Sequence, residues 1–258
     1  MFSFRKHGRL ATALGAAFLA LLIALPACAD VTQEFHRTVP LSPDGRVSLS
    51  NVNGDVEITG WARNEVQIDA VKSARDQQRL DDLSIEIHNN SNSVEIATRY
   101  ATHLNNNGGS VHYTLRVPEN ARIDKISLVN GSLKAQKLTG EVNASLVNGK
   151  VSAFDLEGTA DLATVNGAIS ASYPSLNKVH EIKLKSVNGA IDLLLPQSPN
   201  ADVSASVVNG GITTDFPLTV KGHFVGKSMS GTLGSGGVRI ELNNVNGSIH
   251  IGPGRGSL

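Results

Sequence analysis

One cysteine in 258 residues leaves no intramolecular disulfide framework, so stability must come from packing. Aromatic residues are also scarce, at 4%. That scarcity makes for an interior of Val, Ile, Leu and Ala, which suits narrow stacked coils better than a wide ligand pocket. Formal net charge is zero, so the basic footprint that a nucleic-acid partner requires is missing. Two catalytic signatures are missing as well: there is no G-x-S-x-G elbow, and Asp192 and Asp215, the acidic residues considered for a polysaccharide-cleaving pair, stand apart in sequence.

What the chain has in abundance is a repeat. Val-Asn-Gly occurs seven times, beginning at Val52, Val129, Val147, Val165, Val187, Val208 and Val245. Between Ser127 and Gly167 the glycines fall nine residues apart, at Gly131, Gly140, Gly149, Gly158 and Gly167, so two halves make an eighteen-residue unit. Apolar residues recur at offsets two, four and seven from each glycine: Leu133, Ala135, Leu138; Val142, Ala144, Val147; Val151, Ala153, Leu156; Ala160, Leu162, Val165. The step from two to four is strand alternation, and the step from four to seven breaks parity, so the chain is expected to bend there and keep one face inward. Each turn glycine is expected to supply a positive φ, with the preceding Asn bonding its own backbone. An antiparallel meander with Asn-Gly hairpins is one solution. A β-solenoid with parallel in-register columns is the other, and the parity break and the nine-residue regularity favour it.

The expected fold is therefore all-β: a β-helix-like solenoid of short strands in 18–22-residue coils, with one short helix in an N-terminal capping region. Arg5, Lys6 and Arg9 precede an apolar run from Leu10 to Leu25, which reads as a signal peptide over residues 1–29. Without those cations 20 basic residues face 23 acidic ones. Ala27-Cys28-Ala29 suits cleavage that releases Asp30, and simple cleavage is favoured. Leu25-Pro26-Ala27-Cys28 resembles a lipobox that would place diacylglycerol on Cys28, the one route considered to an outer-membrane lipoprotein. The expected division continues with a capping region at 30–125, solenoid repeats at 126–252 and a tail at 253–258. Within the cap, Ser73 to Leu83 reads as the helix, and Ser84–His88, Ser93–Thr98 and Ser110–Val117 read as strands.

The segments SVNGAIDLLLP, SVVNGGITTDFPLTVKG, GKSMSGTLGSGG and LNNVNGSIHI, behind a signal peptide, resemble a bacterial family of candidate adhesin domains of unknown function. That family is related to toast-rack-like β-solenoids. The resemblance spans roughly residues 45 to 251 and implies a right-handed solenoid-like fold in the cell envelope. It brings no catalytic or metal-binding positions with it.

Site chemistry is otherwise weakly signalled, and no cofactor or metal is expected. Calcium-binding nonapeptide rolls need an Asp in every turn, whereas only Asp55 and Asp161 stand in isolation. His88, His103 and His112 lack a Cys or carboxylate at ligand spacing, and the single His180, His223 and His250 carry no signal. Trp61, Tyr100, Tyr113 and Tyr173 are too few for a glycan-stacking stripe and read mostly as core. The residues singled out are the turn pairs Asn53-Gly54, Asn130-Gly131, Asn148-Gly149, Asn166-Gly167, Asn188-Gly189, Asn209-Gly210 and Asn246-Gly247, read as structural ladders. Together these readings describe an exported, non-enzymatic envelope protein, periplasmic or at the cell surface, with a structural, adhesive or protein-interaction role. A polysaccharide-active enzyme or glycan-binding module is the alternative. For a partner, whether an envelope protein or a second copy, the expected docking place is an exposed strand edge at Ser248 to Ile251.

Overall fold

The computed structural model describes residues 30–100, 109–218, 220–222 and 226–254. The N-terminal part contains β1 (Val31–Pro40), β2 (Arg46–Asn53), β3 (Val56–Trp61), β4 (Glu65–Ala74), helix α1 (Gln77–Asp81), β5 (Leu83–Asn90), β6 (Ser93–Tyr100) and β7 (Ser110–Pro118). The repeats follow as β8 (Arg122–Asn130), β9 (Leu133–Leu138), β10 (Val142–Asn148), β11 (Val151–Leu156), β12 (Ala160–Asn166), β13 (Ile169–Ser172), β14 (Glu181–Asn188) and β15 (Ile191–Leu195). The chain ends with β16 (Ala201–Thr214), β17 (Val220–Gly222), β18 (Lys227–Leu233) and β19 (Val238–Pro253).

Repeat strands pair parallel with the equivalent strand one coil away. Val142 pairs with Ala160 and Ala160 with Ile182, so successive coils are 18 and then 22 residues long. Each coil contributes one strand to either of two columns. The first runs β5-β6-β2-β8-β10-β12-β14-β19-β16-β18-β17, and the second β1-β4-β7-β3-β9-β11-β13-β15-β19-β16. This is a β-solenoid, and the meander is excluded by the parallel register. One continuous core lies between the columns, from Val47 and Ile58 through Val151 and Leu162 to Ile240 and Ile249. Strands turn antiparallel only near the ends, in β1-β4-β7 and β5-β6 on one side and in β16-β18-β17 on the other. α1 is shorter than the Ser73–Leu83 reading. β4 runs on to Ala74, Asp76 caps the helix by accepting from the Arg79 amide, and Leu83 already belongs to β5.

Three local expectations are corrected. The parity break occurs only in the halves led by Asn-Gly: Lys137 (φ 57°) and Asp155 (φ 54°) turn the chain so that Leu138 and Leu156 stay inside. In β10 and β12 alternation continues unbroken, so Leu146 and Thr164 are buried and Val147 and Val165 face solvent. Burial of Thr164 is tolerated because its hydroxyl donates to the Gly149 carbonyl at 3.0 Å. Ser186 and Asn244 occupy equivalent buried places and donate to the carbonyls of Gly167 and Gly189.

The turn glycines are the second correction, since Gly131, Gly140, Gly149, Gly158 and Gly167 have no positive φ. They are needed for closeness. A Cβ on Gly149 would lie 2.6 Å from the carbonyl carbon of Gly131, and one on Gly167 would meet Gly149 in the same way. The stack leaves no room for a side chain at this corner.

The third correction concerns the edge at Ser248 to Ile251. β19 lies between two neighbours, with Ile249 paired to Ile191 on one side and Ile212 on the other. The last Val-Asn-Gly copy is thus the penultimate layer. After β16 the chain returns antiparallel along its outer edge as β18, turns through Gly234, Gly236 and Gly237 at positive φ, and enters on the inner edge as β19.

Candidate functional site

The seven turn asparagines form one outward column in the order Asn53, Asn130, Asn148, Asn166, Asn188, Asn246, Asn209. Each side-chain amide donates to the carboxamide oxygen of the layer before it. From Asn130 to Asn53 the distance is 3.0 Å, and the next five bonds, ending with Asn209 to Asn246, measure 2.8–2.9 Å. At the first layer Asn53 donates to the backbone carbonyl of Gly109. Six bonds pointing the same way align the amide dipoles along the stack and polarise one another. Beneath them Gly54, Gly131, Gly149, Gly167, Gly189, Gly247 and Gly210 make the close-packed corner, where Gly54, Gly189, Gly210 and Gly247 do have positive φ.

Beside this ladder stands a second one, of which the offset pattern placed Val147 and Val165 in the core. Val52, Val129, Val147, Val165, Val187, Val245 and Val208 are each 38–49% exposed and occupy successive layers. Across from them Ser145, Ala163, Lys185 and Ser206 form the other wall of a groove of about 560 Å³, floored by Leu146, Thr164, Ser186 and Asn244.

A third arrangement was invisible in the sequence. Asp192, Asp215 and His250 converge at the C-terminal layers: His250 Nδ1 lies 2.7 Å from Asp192 Oδ1, and Nε2 lies 3.4 Å from Asp215 Oδ2. The insertion of β19 places His250 directly opposite Asp192, 58 residues away. The bond to Asp192 is the main cause that raises the His250 pKa above its ordinary value, with Asp215 adding to it. With both ring nitrogens engaged, the imidazole is a bridge between carboxylates rather than a free base.

The remaining candidates do not assemble. His88 is exposed, and His112 accepts from the Asp55 amide at 3.2 Å. His103, His223 and Cys28 lie outside the described residues. Asp55 accepts from the Ser132 amide, and Asp161 sits on an outward row of β12. Among the described residues no group of three or more His, Cys, Asp or Glu is arranged to hold a metal ion. Tyr113 and Tyr173 are core residues. Burial pushes the Tyr113 hydroxyl up to about 12 while it bonds Thr98, and the Tyr173 hydroxyl, also pushed up by burial, has no partner. Tyr100 is partly buried and bonds Asn51. Trp61 carries the Arg63 guanidinium 4.9 Å from its ring centre and donates its indole N–H to the Glu65 carbonyl. Among the described residues no helix is long and apolar enough to cross a membrane.

Comparison with known proteins agrees with this architecture. No curated protein matches the sequence. Among solved structures, a candidate cell adhesion protein from Clostridium sporogenes ATCC 15579 superposes with a TM-score of 0.50 at 13% identity, over 86% of this chain and 100% of its own. A candidate adhesin from Bacteroides fragilis NCTC 9343 gives 0.38 at 10% identity, over 86% of this chain and 97% of its own. A candidate lipid-binding protein from Parabacteroides distasonis ATCC 8503 gives 0.31 at 11% identity, over the same shares. Residues 139–252 match the sequence model of the family Toastrack DUF4097.

Proposed function

We propose that the protein is an exported, non-catalytic β-solenoid of the bacterial cell envelope, periplasmic or at the cell surface, that presents its outer faces for adhesion or protein interaction. The observation that carries this reading is the content of those faces. Among the described residues they hold long stacked columns of Asn and of Val beside a mixed row of Ser, Ala, Lys and Asn, and the acids and base that do converge, Asp192 and Asp215 on His250, are engaged with one another. Repetition at strand spacing makes a long, uniform contact surface and a poor reaction centre. The candidate cell adhesion protein from Clostridium shares the fold, which is compatible with this role.

The alternative, a polysaccharide-active or glycan-binding module, has one arrangement in its favour, since Asp192 and Asp215 flank His250. A glycosidase needs two carboxyl groups facing across a space for sugar. Here the imidazole fills that space, and we read the cluster as a clamp across the last layers. Two measurements test the proposal together. Intact mass of protein recovered from a bacterial envelope fraction should correspond to a chain beginning at Asp30. A diacylglycerol adduct on Cys28 would instead move it to a membrane surface. Hydrolysis of cell-wall polysaccharide that disappears in His250→Ala would refute the non-catalytic role.

A further inference from the structure

The valine ladder lies outside the core, yet all seven layers carry Val there, at 38–49% exposure. Strand propensity favours a β-branched residue at such a position but is also met by Thr, and every layer has Val instead. At a strand spacing of about 4.8 Å, seven layers make a stripe roughly 29 Å long. Each valine leaves about 60 Å² uncovered, so the stripe presents roughly 400 Å² of contiguous apolar surface, within the range of patches that are interaction sites in monomeric proteins. The groove of about 560 Å³ runs alongside five of its layers, those of Val147, Val165, Val187, Val245 and Val208.

We propose that this face is a homodimer interface, covered by the same face of a second copy of the chain. Three features select that occupant. The first is periodicity: a ridge that rises once per layer is matched along its whole length by a surface with the same repeat, and a second in-register stack has it. Identical side chains on two facing sheets interdigitate in this way in dry β-interfaces. The second is reciprocity. A two-fold axis parallel to the stack sets each valine ridge in the other copy's groove, and it brings the Ser145, Lys185 and Ser206 wall of one copy beside the asparagine ladder of the other. Apolar then meets apolar and polar meets polar, as a self-complementary interface requires. The third is size. The valines of two copies bury roughly 800 Å² between them, and the groove walls and amides carry the total past the ~1,000 Å² that separates specific interfaces from incidental ones. The groove wall carries Lys185, and the row beyond it holds Asp161 and Glu241 on either side of Lys183, so both signs of charge are present and two like faces meet without a net repulsion. The inference is independent of the envelope role.

Analytical ultracentrifugation of the purified protein at about 100 μM, ample for an interface of micromolar affinity, is the test. The expected result is a dimer. Val147→Lys with Val165→Lys should give a monomer that still folds, read as an unchanged far-ultraviolet circular dichroism spectrum at low temperature, because both positions lie outside the core. Val147→Thr with Val165→Thr keeps the β-branch and the shape, and should raise the dimer Kd at least tenfold. Ser152→Lys, on the opposite column, should change nothing. A monomeric wild type overturns the proposal, as does a dimer that survives the lysine pair. A wild type that stays monomeric but binds phosphatidylcholine vesicles through the same valines also overturns it and assigns the stripe to lipid.

Discussion

Gly149→Ala adds one carbon at the corner of a central layer. The new Cβ would stand 2.6 Å from the Gly131 carbonyl carbon and nearer still to its oxygen. Carbon atoms in contact settle at roughly 3.5 Å, so the two layers must part by about 1 Å at this point. Parting them stretches the two backbone bonds that join these layers at the corner, Gly131 N–H to the Asn148 carbonyl at 3.0 Å and Leu133 N–H to the Lys150 carbonyl at 2.9 Å. It also stretches the amide bond from Asn148 to Asn130, at 2.9 Å. Two backbone bonds contribute about 1 kcal/mol each. Residual overpacking adds about 1–3 kcal/mol, for a loss of about 3–5 kcal/mol in total. Gly211→Ala is the matched control, because its Cβ would meet nothing within 4 Å and its φ is not positive. That change should leave stability unaltered or raise it by up to about 1 kcal/mol, through the less flexible unfolded chain. Urea unfolding followed by far-ultraviolet circular dichroism measures both. A Gly149→Ala protein within about 1 kcal/mol of wild type would refute the argument that the corner glycines serve layer contact.

Further outcomes follow from the same packing. Val151 is fully buried and Lys150 exposed, so Val151→Asp should unfold the protein by burying an unpaired carboxylate, at several kcal/mol, while Lys150→Asp should not; thermal melts decide between them. Tyr173→Phe removes a buried hydroxyl without a partner and should stabilise by about 1 kcal/mol, read as a higher urea midpoint. His250 has a raised pKa in the folded state, so its bridge contributes fully below the unfolded value of 6.5 and is lost as pH rises through the folded pKa. Stability should therefore decline with rising pH from about 6 upward, and His250→Gln should flatten that part of the profile; an unchanged profile would remove the clamp from the account.

Much of the fold was legible because the repeat is periodic in chemistry as well as in length. Val151, Ala153 and Leu162 could be placed inside from their offsets alone, and they are inside. Val147 and Val165 could not, because an apolar β-branched residue looks the same to a pattern whether it faces core or solvent. Only the unbroken alternation of β10 and β12 decides it. The glycines were recognised, but their reason was not: a backbone that must touch the next layer and a backbone that must turn through positive φ both demand glycine. The cluster of Asp192, Asp215 and His250, and the paired state of Ser248 to Ile251, share one cause. Sequence order suggests that the last copy is the last layer, and the excursion through β17 and β18 instead folds the chain back so that β19 enters between β15 and β16.

The fold depends on that inserted layer, and thiol cross-linking tests it directly. Asn243 pairs with Lys185 on one side and Ser206 on the other, so Lys185 and Ser206 are two strand spacings apart, roughly 9.6 Å, beyond the Cα separation a disulfide can span. In a Cys28→Ser background, Lys185→Cys with Asn243→Cys should form an intramolecular disulfide on mild oxidation, and Lys185→Cys with Ser206→Cys should not. The opposite pattern, with 185 joined to 206 and not to 243, would mean that the copies stack in sequence order and would contradict the structure described.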